Sequence, residues 1–184
     1  MVMFLTVGVV EAAEFTAEQS AKFFDMTVAN PAATEEPSLP LDAATFQMNF
    51  NAFITDFLGT VSTGNDFAEM QSALSLNNPV VTAREDGTIF SKNFWNRVSI
   101  VGFSGTDGKL KVLNFFATQP DSQEESLYHV LILRAFVKSI SPDYDAATLL
   151  GDLKKNPIVI RNDICYTIAK AGNLNIITAT SAAP

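Results

Sequence analysis

No feature of this chain limits its possible folds more than two strand-like runs that meet at one turn. Arg97–Ser104 and Leu110–Thr118 are rich in Val, Ile, Leu and Phe, and Gly105-Thr106-Asp107-Gly108 lies between them. Asp-Gly supplies a residue that tolerates positive φ, as a tight hairpin turn requires. Two such runs fold back on each other as antiparallel strands. The same letters also have to be weighed as chemistry. Gly102-Phe103-Ser104-Gly105 begins like the G-x-S-x-G turn that presents a nucleophilic serine, but Thr106 holds the fifth position. A nucleophile elbow passes from a strand into a helix. Here a second strand run follows, so the segment reads as a hairpin.

Strand chemistry continues on both sides. Val80–Arg84, the turn Glu85-Asp86-Gly87 and Thr88–Ser91 precede the hairpin. After it come Ile158–Ile160 running on through Ile164–Ala169, then Leu174–Thr180, with Ala171-Gly172-Asn173 as the last turn. Helical periodicity occupies the rest. Phe46, Phe50, Phe53 and Phe57 recur at spacings of four, three and four, which is one stripe of an α-helix. Asp42 is placed to cap that helix and Gly59 to close it. A helix over Ala17–Val28 follows the capping box Thr16-Ala17-Glu18-Gln19, and a shorter one over 66–75 carries Phe67, Met70 and Leu74. Ser122-Gln123-Glu124-Glu125 is a second capping box, opening a helix over 123–140. That helix is apolar almost all round between Val130 and Val137, which predicts deep burial across a sheet. Ser141-Pro142-Asp143 is read as the start of a further helix, ending at Asn156-Pro157.

Strands and helices are therefore segregated along the chain. The expected class is α+β: a mostly antiparallel sheet, made of a strand meander plus a C-terminal hairpin, with helices packed on one face. Residues 29–40 hold Pro31, Pro37 and Pro40 and read as a linker, which makes the first helix an arm on the domain. The expected organisation is a signal-peptide remnant at 1–12, a helix and linker at 13–40, and one α+β domain at 41–184.

Composition narrows the function. The 184 residues are 47% hydrophobic and 17% charged, which suits one folded domain. The net charge is −8 with 12 basic residues, and Lys154-Lys155 is the longest basic run. Nucleic-acid binding needs clustered cations to neutralise phosphates, so it is not expected. Cys165 is the single cysteine and His129 the single histidine, which leaves no intrachain disulfide and no basis for a zinc site. No metal or cofactor is expected. No run approaches the ~20 apolar residues of a membrane span. Nine of the first ten residues are apolar or Gly, with Thr6 the exception, and Val10 and Ala12 stand two apart as before a signal-peptidase cut. The segment lacks the basic start of a full signal and looks truncated. It nevertheless points to a secreted or periplasmic protein of bacterial type.

The preferred reading is a non-catalytic binding or interaction domain. Its partner is expected to be a protein, a peptide or a small apolar ligand. The residues expected at the site are Phe46, Phe50, Phe53 and Phe57, with Trp95 as a platform and His129 beside them. The alternative is a hydrolase using His129 with Ser104, Cys165 or Glu125. Glu125 and His129 are four apart and share a helix face, the spacing of a carboxylate that orients an imidazole.

Overall fold

A computed structural model describes residues 17–28, 37–61, 65–94 and 97–182. The expected signal remnant, Thr16, residues 29–36 of the linker and Trp95 lie outside the described residues. Five helices are described: α1 (Ala17–Val28), α2 (Ala43–Val61), α3 (Asn65–Leu74), α4 (Gln123–Ile140) and α5 (Ala146–Lys155). The strands are β1 (Val80–Arg84), β2 (Gly87–Phe94), β3 (Val98–Gly105), β4 (Leu110–Thr118), β5 (Ile158–Arg161), β6 (Ile164–Ala171) and β7 (Leu174–Ser181). They form one antiparallel sheet in the order β1-β2-β3-β4-β7-β6-β5. The expected α+β class, with a meander and a C-terminal hairpin, is what the chain adopts.

The opening hairpin is built as its residues dictate. The Gly108 N–H donates to Gly105 O at 2.9 Å, and Gly108 takes φ 76°. Asp107 Oδ1 accepts from the Lys109 N–H at 3.0 Å, which fixes the bend. Ser104 is thus the last buried residue of a strand, paired with Thr88 on one side and Leu110 on the other.

Helix ends follow their caps, with two departures. Asp42 caps α2 by accepting from the Thr45 N–H at 2.7 Å, but Gly59 does not close that helix, which runs on to Val61. Gly59 does not take the positive φ of a helix-ending glycine. Ser141-Pro142-Asp143 does not open α5. Asp145 caps it instead, accepting from Ala147 and Thr148, because its carboxylate reaches two free N–H groups of the first turn. The strand expected to run from Ile158 through Ala169 is also broken in two. Asn162 and Asp163 take φ of 48° and 61°, the pair of left-handed residues of a type I′ turn, so β5 and β6 form a hairpin.

The main core fills the space between one face of the sheet and α2, α4 and α5. Phe46 and Phe50 of α2 meet Phe90 and Phe94 of β2 with ring centroids 6.2 and 5.6 Å apart. Phe136 of α4 meets Phe115 of β4 at 5.9 Å and Phe46 at 6.0 Å. Under α5, the Tyr166 hydroxyl is buried and shares a 2.8 Å hydrogen bond with Ser141 Oγ. Burial pushes its pKa up to about 12.

The arm is the element that departs from a one-sided layout. α1 lies on the opposite face, where Phe23 stacks on Phe116 at 4.4 Å among Ile89, Val101, Phe103, Val112 and Ile176. β3 and β4 are apolar on both faces, so their second face needs a cover as well.

Candidate functional site

α2 and α4 run antiparallel. Asn49, near the start of α2, donates to Ser139 O near the end of α4 at 3.3 Å. At their other ends Phe57 and Val61 stand close to Glu124, Leu127 and Leu131. The pair is packed tight along the sheet, and α3 joins it from outside through Gln71 Nε2, which donates to Thr55 Oγ1 at 2.8 Å. The three helices do not close completely on the side away from the sheet. They leave a half-open cleft of about 250 Å³ lined by Phe57, Val61, Met70, Leu127, Tyr128, Val130 and Leu131, with Glu124 and Arg134 at its margin.

Its walls are almost wholly carbon. Leu127, Val130 and Val61 are 59%, 47% and 60% exposed, so three of the exposed large hydrophobic residues collect at this one place. Isolated exposed apolar residues are ordinary, whereas a contiguous group around a concavity marks an interaction surface. The Tyr128 pKa is raised by burial first and then by the nearby Glu124 carboxylate. Tyr128 therefore stays neutral beside Glu124. Arg134 makes no ion pair among the described residues.

The residues expected at a site are divided by the fold. Phe46 and Phe50 are fully buried and fill the space between α2 and the sheet. Phe53 and Phe57 are half-buried at the margin of that core, and Phe57 alone of the four reaches the cleft. His129 is buried on α4. Ser104 lines a small cavity together with Ala43, Ala44 and Gln47 at the start of α2. Asn49 stands opposite Ser139, and His129 lies about ten residues, or roughly 15 Å, back along α4 from there, toward the opposite end of the pair. Cys165 alternates with Ile164 and Tyr166, which enter the helix-side core, and so faces the other side of the sheet from α4. Glu125 accepts from the Asp121 N–H at 2.7 Å and serves the helix cap. The fold thus brings His129 together with neither Ser104 nor Cys165. Among the described residues, no three His, Cys, Asp or Glu side chains are grouped to hold a metal ion. No helix of the described residues is long and apolar enough to cross a membrane.

Comparison with protein-family models, with curated proteins and with solved structures finds no match. Function must be argued from the cleft itself. Sequence reading missed Leu127, Val130, Met70 and Val61. Their signal was present as excess: a helix apolar almost all round has more apolar positions than one sheet face can cover, and Leu127 and Val130 are the surplus.

Proposed function

We propose that this chain is an exported binding domain whose interaction surface is the apolar cleft between α2, α3 and α4. The observation that carries the reading is the gathering of Val61, Leu127 and Val130, all exposed, around a concavity floored by Phe57, Met70 and Leu131. Leaving such a group in water costs about 25 cal/mol per Å² of apolar surface, a loss that a bound apolar partner recovers. Glu124 and Arg134 add one charge of each sign at the margin, which orients a partner rather than attracting a particular net charge. The export reading rests on the mostly apolar first ten residues and the small residues Val10 and Ala12.

Binding of the apolar dye anilinonaphthalene sulfonate to the folded protein tests the cleft. Leu127→Glu and Val130→Glu are expected to lower dye fluorescence several-fold with little loss of stability, since both side chains are largely exposed. Dye binding that is indifferent to both substitutions would sink the cleft as the interaction surface. N-terminal sequencing of protein recovered from the medium or periplasm tests export, and a chain found only inside the cell would refute it.

A further inference from the structure

A second concavity lies at the other end of α2, and it is built differently. The first turn of α2 stands off the corner of the sheet where β1, β2 and β3 pair, leaving a partly open cavity of about 190 Å³. Ala43, Ala44, Leu76, Pro79, Val81 and Phe90 form its walls, and among the described residues no charged side chain lines it. Two short alanines make the space, whereas Phe46 and Phe50 fill the core further along the helix. The segment after α3 is pinned to α2 on both sides of Leu76. Gln47 Nε2 donates to Leu76 O at 2.7 Å, and the Leu76 N–H donates to Asn51 Oδ1 at 2.7 Å, so that wall is preformed. The polar groups converge at one spot. Thr88 of β2 pairs directly with Ser104 of β3 and is in phase with Phe90, so both side chains stand on the helix side of the sheet. Ser104 is 6% exposed, and neither hydroxyl makes a hydrogen bond among the described residues. A hydroxyl buried to that degree costs free energy unless a partner meets it.

We infer that this cavity is a binding site for a small neutral molecule with an apolar body and one hydroxyl or carbonyl head, the head held by Ser104 and Thr88. It is separate from the cleft, with which it shares no lining residue. Charge sets the class first. An ion buried here would meet no opposite charge, which costs far more than two hydroxyls return. Polarity sets it next. A buried water needs two to four polar partners, and the neighbouring hydroxyls serve one end of the cavity while carbon walls the rest. An alcohol, ketone or amide meets both conditions. Its oxygen accepts from a hydroxyl, and its carbons cover Phe90 and Val81, which is 62% exposed at the sheet edge. At ~30 Å³ per water-sized group the volume admits roughly six non-hydrogen atoms, too few for a peptide or a long acyl chain. Ser104, whose neighbours resemble a nucleophile turn, serves here as a hydrogen-bonding anchor.

Amide resonances of the full chain, followed by NMR during titration with n-pentanol, test the inference. Those of Ala43, Gln47, Thr88 and Ser104 are expected to shift and to saturate with a Kd at or below about 1 mM. Butanoate and pentylammonium, of similar size but charged, are expected to bind at least about tenfold more weakly. Ser104→Ala removes the anchor and should weaken pentanol binding roughly fivefold. Ala43→Leu fills the cavity while keeping a good helix former, and it should abolish the saturable shifts. Circular dichroism of each variant establishes that it is folded. A titration without saturation at these four residues overturns the inference, and so does saturation that both substitutions leave unchanged. Equal binding of butanoate or pentylammonium refutes the neutral class. The Leu127 and Val130 resonances report the cleft separately, so pentanol taken up only there overturns this second site and leaves the cleft standing.

Discussion

On the face toward α2 and α4 the sheet meets interlocking rings, with Phe46, Phe50, Phe115 and Phe136 in mutual reach. On the face toward α1 it meets, among the described residues, the stacked Phe23 and Phe116 rings and a buried polar relay. Asn114 of β4 donates to Thr27 Oγ1 at 2.9 Å and accepts from Thr178 Oγ1 at 2.6 Å, while Thr27 Oγ1 donates to Phe23 O at 2.8 Å. The first face gains stability from area and packing, which are non-directional. The second aligns one helix by hydrogen bonds whose geometry admits a single placement. A buried amide costs more unpaired than it contributes when paired, so the relay acts mainly against misplacement of α1.

The largest effect that separates the faces is expected from Phe50→Ala. It empties a fully buried site in the ring cluster and should cost about 3–5 kcal/mol in denaturant unfolding. A cost under about 1 kcal/mol would mean that the cluster is not the main core. A second test of the same face is the alkaline limb of stability. The folded Tyr166 pKa is raised to about 12 from 10.0, so the folded chain keeps a proton that the unfolded chain releases. Its contribution is complete below about pH 10 and is lost as pH rises toward 12, by up to about 2 kcal/mol. Tyr166→Phe should flatten that limb, and an unchanged slope would assign it to other groups. The smallest effect is expected on the other face. Asn114→Ala should cost about 1 kcal/mol globally and raise hydrogen exchange in α1 well before the core. Equal acceleration in α1 and α4 would erase the distinction between the two faces.

The cleft also depends on a difference between regions. At the Ser139 end, α2 and α4 are joined by Asn49 and sealed over the sheet, whereas at the Glu124 end α3 stands off and the cleft opens. Dye binding reads only the open end. The buried end should respond in stability alone.

Local signals were legible wherever a short-range rule suffices. The Asp107-Gly108 turn, the Ser122 cap of α4 and the Phe stripe of α2 each depend on residues within four positions, and each formed as expected. The Asn162-Asp163 turn was misread because two non-Gly residues with positive φ interrupt a run of apolar residues without any glycine to mark the bend. Gly59 was misread in the opposite sense, since a glycine near a helix end need not terminate it.

From the residues alone follow the antiparallel hairpin, the α+β class and the amphipathic or all-apolar nature of each helix. These rest on periodicity and on turn chemistry, which act between neighbours in sequence. Tertiary structure decided which apolar residues would remain uncovered. Phe46 and Phe57 belong to one stripe, yet Phe46 is core and Phe57 lines the cleft, because the first lies over the sheet and the second near the divergent ends of α2, α3 and α4. Burial is a property of what packs across from a residue. Leu127 and Val130, on a helix apolar enough to be wholly buried, are exposed at the cleft for the same reason.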